Sequence, residues 1–589
     1  MIKNPNPKRL YFVIPKMKNT EVSELLSELA DYLEFNEEPF KVRAYRKAAL
    51  VIQGLSQDVE QLWKQGKLLE LPGIGEGIAK KIDDFLKNGK SKYLNELKKS
   101  VPVDMEGLGS IEGIGPKTIL KLYRNLGIKN VAQLEKNAKD GNIQKIEGLG
   151  PAVERNILKS IEFSKASGQR VPLGFALSSA QEIAELLKSQ KEVTRVSIAG
   201  STRRMKETIG DIDILVTSKF PSRVIDFFTT MQNVAGVLAK GETKSSIRIK
   251  EGMQVDLRVI DDETFGAGLL YFTGNQQHNI VLRRIAMEKG MKLSEYGLFE
   301  KKTEKIIAGK TEQEIYDKLG LKYIEPELRE DSGEIEAARN DKLPKLIGYE
   351  DIKGDLQMHT KWSDGSNMIM EMALEGKSMG YEYICITDHT GKLAIANALD
   401  EKRIKEQRKE INDANKKLDG IKVLQGVEVN IASDGSLDMK DKVLKELDVV
   451  VASIHSGFKN TKEKITSRMI KAMENENVDI IAHPTGRLIT KREPYEIDID
   501  KVLEAAKRTG TVMEINSYPE RMDLRDVNVR LALKHGVKLA ISTDAHNSGQ
   551  LHFMKLGIGT ARRGWAIKDD IVNTRSLKEM MKFVKNNNL

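Results

Sequence analysis

The hydrophobic rhythm of this 589-residue chain changes twice along its length. In the first third, short apolar helical segments recur behind Gly-apolar-Gly turns. Between about 193 and 260 the pattern becomes that of strands. Val196-Ser197-Ile198-Ala199 and Ile212-Asp213-Ile214-Leu215-Val216 read as buried strands, and Val255-Asp256-Leu257-Arg258-Val259 alternates apolar and polar positions. After 350, short runs such as Val449-Val450-Val451, Ile480-Ile481 and Leu539-Ala540-Ile541 alternate with helical stretches at 401–418, 461–476 and 500–509. Strands alternating with helices predict a barrel of parallel strands. A chain this long exceeds one hydrophobic core and predicts about three to five domains.

The strand-rich middle carries the first candidate chemistry. Gly200-Ser201 precedes Asp211-Ile212-Asp213 by ten residues, and Asp256 lies in the third strand. Carboxylates at i and i+2 on a strand share a face. Three acids at adjacent strand ends would hold two Mg²⁺ ions, with open positions left for phosphate oxygens. A Gly-Ser turn ahead of them lets backbone N–H groups approach a triphosphate. A lone D-x-D is usually a solvated strand end; the flanking buried strands and the third acid turn this one into a nucleotidyl-transfer site.

One loop recurs three times in the first third, as Gly73-Ile74-Gly75, Gly113-Ile114-Gly115 and Gly148-Leu149-Gly150. A Gly-apolar-Gly hairpin at a helix N-terminus offers free N–H groups to a phosphate oxygen. The motif resembles the helix-hairpin-helix, which grips DNA backbone without reading sequence. Residues 1–170 hold 29 Lys+Arg against 22 Asp+Glu, most of the net charge of +9. That excess fits a polyanion-facing surface, although a Lys/Glu-rich surface alone would decide little. Lys81, behind the first loop, is placed to form a Schiff base with an abasic sugar or simply to contact phosphate. Tyr271-Phe272-Thr273-Gly274 suits a surface pressing on a sugar and base, and Asn279 and Arg283 stand one helical turn apart, in reach of a minor-groove edge.

With these motifs, residues 20–325 resemble a family X DNA polymerase of the polymerase beta type. The resemblance implies a lyase-like domain over 20–100, a fingers-type domain over 101–175, a nucleotidyltransferase palm over 176–260 and a thumb over 261–325. It implies that Asp211, Asp213 and Asp256 bind the catalytic metals, that Gly200, Ser201, Arg204 and Gly210 hold the triphosphate, and that Tyr271, Phe272 and Gly274 lie against the sugar. Asn279 would touch the incoming base, Arg283 the template, and Lys81 would match the lyase nucleophile. Gln254 stands where the family often has arginine, and Gly77 where it often has lysine.

Seven of the eight histidines follow residue 350. His359, Asp364, His389, Glu428, His455, His483, Asp544 and His546 sit at or near the ends of apolar runs. Mixed imidazole and carboxylate ligands suit Zn²⁺, Mn²⁺ or Fe²⁺ rather than Mg²⁺ alone, and such clusters hydrolyse phosphoesters. His278, His535 and His552 read as ordinary. This region resembles the PHP (polymerase and histidinol phosphatase) domain over 350–589. The resemblance implies three metals: one on His359, Glu428 and Asp544, one on Glu428, His455 and His483, and one on Asp364, His389 and His546. It also implies that Arg487 holds phosphate. The family often opens with His-x-His, and Gln357 takes the first position, a weaker and neutral ligand. Residues 326–349 read as an exposed, charged connector.

The expected whole is a multidomain protein: helical helix-hairpin-helix domains, an α+β palm with a small α/β thumb, and a distorted (β/α)7 barrel. The single cysteine, Cys385, excludes a disulfide framework, and no apolar stretch approaches a membrane span. The expected function is gap-filling DNA polymerisation on gapped or primer-template DNA with deoxynucleoside triphosphates, joined to a 3′→5′ exonuclease, in a cytoplasmic monomer. The competing readings are a nucleotidyltransferase for RNA or protein and a barrel that serves only as scaffold.

Overall fold

The computed structural model describes residues 18–584 apart from 54, 56, 57, 110, 112, 113, 168, 169 and 392–396. Gly113 therefore lies outside the described residues. The first third is helical, and its buried side chains from Val22 to Ile161 form one hydrophobic cluster rather than one per hairpin. The apolar residues between the loop glycines, Ile74, Ile114 and Leu149, are buried and pin each turn. Gly73 and Gly148 have positive φ (81° and 80°), which favours glycine there. Gly75 and Gly115 cap the helices Glu76–Asn88 and Pro116–Leu126 without a side-chain acceptor, leaving first-turn N–H groups open to a ligand.

The palm is a five-stranded sheet in the order Val193–Ile198, Asp211–Ser218, Gln254–Ile260, Lys244–Ile249, Val234–Lys240. Only the pair Asp211–Ser218 and Gln254–Ile260 runs parallel, and it sets Asp213 directly opposite Asp256. The thumb packs the helices Phe265–Thr273, Gln276–Glu288 and Glu312–Leu319 against a three-stranded antiparallel sheet.

The C-terminal domain has seven parallel strands ordered as in the sequence, from Gly354–Asp355 to Leu539–Ser542. The sheet closes on itself where Met358 bridges Ala545, with His359 N–H donating to Ala545 O at 2.7 Å. The interior is filled by Leu356, Tyr383, Cys385, Leu424, Val451 and their neighbours. Burial holds the Cys385 thiol well above its ordinary pKa, so it is inert packing. Among the described residues, no helix is long and apolar enough to cross a membrane.

Residues 326–349 correct the expectation of an exposed connector. Glu327, Arg329 and Glu334 are buried. Each charge meets a partner from elsewhere in the chain: Arg329 with Glu312 at 2.6 Å, Glu334 with His278 at 2.8 Å, and Glu327 with Arg562 at 2.7 Å. Buried charge persists only when paired, and the partners lie far enough away in sequence to hide the pairing. The palm also packs on the barrel. Met205 and Leu173 share a hydrophobic cluster with Ile489, Met522 and Leu556. A Cβ on Gly559 would lie 2.6 Å from Met205, so glycine permits this approach.

Candidate metal centres

The palm centre is built on the parallel pair. Asp211 and Asp213 project from one face of their strand, and Asp256 stands beside Asp213. Gly200, at φ +60°, begins the short helix Gly200–Arg203 against them. Burial first, then repulsion by Asp211 and Asp256, raises the Asp213 carboxyl to about 7, while Arg258 and Arg204 oppose the rise. Three carboxylates crowded this closely are a site suited to a divalent cation. Gln254 Nε2 donates to Asp256 Oδ1 at 3.1 Å and so orients that carboxylate without adding charge.

Tyr271 and Phe272 meet edge to face at 5.1 Å, and Arg258 lies 4.3 Å over the Phe272 ring. Asn279 Nδ2 donates to Tyr271 O at 2.7 Å, and Arg283 Nε to Asn279 O at 3.3 Å, so the four residues form one surface. Gly274 has φ +67°, and a Cβ there would meet Arg204 Nη1 at 3.3 Å. Arg204 caps the Gly200–Arg203 helix that Ser201 belongs to. Arg170 was missed from the sequence. Its Nη1 stands 3.1 Å from where a Cβ on Gly210 would be, and among the described residues it donates to Thr208. Lys81 belongs to the helical first third. It sits in the helix Glu76–Asn88 with Nζ 4.2 Å over the Tyr93 ring.

The barrel centre gathers at the C-terminal ends of the strands. Glu428 is its hub. Its Oε1 lies 3.1 Å from His483 Nε2 and 3.2 Å from His455 Nε2, and its Oε2 lies 3.4 Å from both His359 Nε2 and His389 Nδ1. His359 Nε2 also reaches Asp544 Oδ1 at 3.1 Å, and Asp364 Oδ2 lies 3.5 Å from His389 and from His546. Three groups are compact enough to hold an ion: His359, Glu428 and Asp544; His389, Glu428 and His455; and Asp364, His389 and His546 with His359. His389 thus joins Glu428 and His455 in the second group, while His483, on the same Glu428 oxygen as His455, belongs to none of the three.

The donors fit metal ions. Glu428 Oε2, the Nδ1 atoms of His359 and His389, and both amide atoms of Gln357 are buried without a hydrogen-bond partner among the described residues. Burial would raise the Glu428 carboxyl, yet the surrounding imidazoles hold it well below the carboxylate range. Such a cluster of anions and orphaned lone pairs calls for cations.

Around these donors stands a layer that sequence reasoning did not single out. Glu514 accepts from His483 N–H at 2.7 Å and from Asn516 at 3.1 Å, and Asn516 also donates to Asp544 Oδ2 at 3.1 Å. The signal was present, because Glu514-Ile515-Asn516 repeats the form of Glu428-Val429-Asn430 at the end of an apolar run. Asp388 accepts from Thr360, Ser363 and Gln407 and braces the loop that carries His359.

Arg487 corrects the expectation of a phosphate ligand. Its Nε donates to Arg521 O at 2.8 Å, Nη1 to Glu207 Oε2 at 2.7 Å, and Nη2 to Met522 O. All three nitrogens are engaged, so the residue ties the barrel to the palm. Arg521 is the arginine at the centre, with Nε 3.4 Å from Asp544 Oδ2. His278, buried between Glu334 and Tyr316, is structural. His535 pairs with Asp500 and His552 with Glu375, outside the cluster.

Comparison with known proteins agrees with this layout. Residues 17–91 match a helix-hairpin-helix domain, 105–162 a SAM-like helix-hairpin-helix tandem, 268–330 the DNA polymerase beta thumb, and 355–518 the PHP domain. The DNA polymerase/3′-5′ exonuclease PolX of Bacillus subtilis (strain 168) is 40% identical over 574 residues, 97% of this chain and 100% of that protein. A probable phosphatase of Thermoanaerobacter sp. (strain X514) is 33% identical over 241 residues, 39% of this chain and 94% of its own length. DNA polymerase lambda of Arabidopsis thaliana is 26% identical over 352 residues, 54% of this chain and 63% of that protein. The phosphatase likeness, at 241 residues, is too short to span both centres, whereas the full-length likeness covers both. The chain belongs to the family X DNA polymerases that carry a C-terminal PHP domain.

Proposed function

We propose that the chain is a DNA polymerase that fills short gaps and trims 3′ ends with its barrel, a 3′→5′ exonuclease. The observation that carries this is the pair of separate acidic centres on packed domains, in a chain that matches a DNA polymerase/3′-5′ exonuclease over its whole length.

Asp211, Asp213 and Asp256 would hold two Mg²⁺ ions, which supply charge neutralisation for in-line phosphoryl transfer. Ser201, Arg204 and the backbone at Gly200 and Gly210 grip the triphosphate, with Arg170 beside Gly210 as a further cation. Tyr271 and Phe272 press on the deoxyribose and leave no room for a 2′-hydroxyl. The hairpins at Gly73, Gly75, Gly115, Gly148 and Gly150 hold backbone phosphates through N–H donors, which explains binding without sequence readout.

The eight barrel ligands would hold up to three Mn²⁺ or Zn²⁺ ions, which supply activated water for phosphodiester hydrolysis. Arg521 orients Asp544 and faces developing phosphate charge. Lys81 and Tyr93 form the surface that would meet a 5′ abasic sugar during base excision repair. The cellular setting is taken to be cytoplasmic.

Asp213→Ala removes nucleotide addition on a gapped duplex and leaves 3′-end hydrolysis, while His483→Ala does the reverse. Loss of both activities from either change would refute two independent centres. Gln357 favours one alternative, a barrel that only positions DNA. Full-length protein that binds neither Mn²⁺ nor Zn²⁺ and hydrolyses no 3′ end would establish it.

A further inference from the structure

Glu330 lies where palm, thumb and barrel meet. Its Oε1 is 3.0 Å from Arg204 Nε of the palm and 3.0 Å from Arg563 Nη1 of the barrel. Its Oε2 faces Lys206 Nζ at 3.5 Å and Asn275 Nδ2 at 3.4 Å. Arg563 is itself fixed, since Nε and Nη2 donate to Asp526 Oδ2 at 2.9 and 2.6 Å, and Nη1 also reaches Arg204 O at 2.9 Å. The side chains of Arg204, Glu330 and Arg563 are 12%, 19% and 5% exposed, so the chain of contacts is shielded from solvent.

Arg204 is anchored at two of its three nitrogens. Nε is on Glu330 and Nη1 on Thr273 O, leaving Nη2 without a protein partner among the described residues. A long side chain pinned at two points presents its third nitrogen in one orientation, with little rotamer freedom left to lose on binding. The barrel thus reaches the Arg204 side chain through the Glu330 carboxylate, and the Arg204 backbone directly through Arg563.

We propose that Glu330, clamped by Arg563, is a positioning residue for the incoming nucleotide, aiming Arg204 at the triphosphate. This rests on reading Arg204 as a triphosphate ligand. A shielded ion pair that served stability alone would affect both activities alike, whereas one that aims Arg204 affects nucleotide binding selectively.

The test is single-turnover gap filling by the full chain, resolving nucleotide Kd from the maximal rate, with 3′-end hydrolysis measured on the same preparations. Glu330→Gln removes the charge at nearly constant shape, and Arg563→Ala releases the carboxylate from the barrel. Both are expected to raise the nucleotide Kd about ten-fold, the scale of a lost charge-assisted hydrogen bond, with the maximal rate and hydrolysis within about two-fold. Arg563→Lys should recover part of the loss. An unchanged Kd in both variants overturns the proposal, and so does a parallel fall of filling and hydrolysis, which would mark a purely structural link. Arg204→Ala separates the two levels. If it leaves Kd unchanged, the reading of Arg204 fails and the proposal with it. If it raises Kd while Glu330→Gln does not, only the positioning role falls.

Discussion

Gly200 and Asp213 touch so closely that a Cβ on Gly200 would lie 2.1 Å from Asp213 Oδ2. Gly200 also has φ +60°, a conformation other residues resist. Gly200→Ala therefore displaces the carboxylate on which the palm centre depends. Nucleotide addition should fall by about two orders of magnitude or more, since misplacement of about 1 Å at such a site costs that much. The 3′-end hydrolysis should remain. Equal addition by variant and wild type in a primer-extension assay would contradict this contact.

Glu312 reports on the thumb. Burial alone would raise its carboxyl, but Arg329 and Arg203 overcome that and bring it down to about 2. A depressed carboxylate stabilises the fold above its unfolded pKa and loses that contribution as pH falls toward the folded value. Wild type should therefore exceed Glu312→Gln in thermal midpoint at pH 6–7, about three pH units or less above the unfolded range. The gap should narrow as pH falls below about 4.5 toward 2. Removing one partner of a buried pair costs about 3–5 kcal/mol. Calorimetry of both proteins across that range checks the sign.

Two neighbouring arginines should separate cleanly. Arg521 reaches Asp544. Arg487 reaches Glu207 and two carbonyls. Arg521→Ala should slow 3′-end hydrolysis by about 10²-fold, the scale of a lost electrostatic stabiliser, with nucleotide addition intact. Arg487→Ala should lower the thermal midpoint, because a part-buried Glu207 contact and two carbonyl bonds are lost. Steady-state hydrolysis and thermal melts on the two variants distinguish them.

Gln357 is buried, and both its amide atoms lack a hydrogen-bond partner among the described residues. Gln357→His adds an imidazole beside His359 and should shift the Mn²⁺ concentration that half-maximally raises the thermal midpoint to a lower value. Chelation should lower the midpoint of both proteins, since ions that bind only the folded state stabilise it by mass action. A midpoint indifferent to Mn²⁺ and chelator would contradict a metal-filled centre.

Much of the site was legible because its chemistry is local. The i, i+2 spacing of Asp211 and Asp213, the glycine hairpins, and the histidines at ends of apolar runs each combine a residue type with a short-range conformation. Arg170, Arg521, Glu514 and Asn516 were not singled out, since an arginine in a loop or an acid after a strand has no distinguishing local pattern. Arg487 was misread for the same reason: whether a guanidinium is free depends on which carbonyls and acids surround it.

The sequence by itself determined the order of domains, the strand and helix periods, and which acids and histidines are candidates for the two centres, because periodicity and side-chain chemistry are written residue by residue. The tertiary structure alone decided how those parts join. It buried residues 326–349 by bringing Glu312, His278 and Arg562 to Arg329, Glu334 and Glu327. It made Glu428 the hub of the barrel centre, set Asp213 across from Asp256, and placed Glu330 between Arg204 and Arg563. These are contacts between residues up to hundreds of positions apart. They follow from the packing of whole domains, which no local pattern encodes.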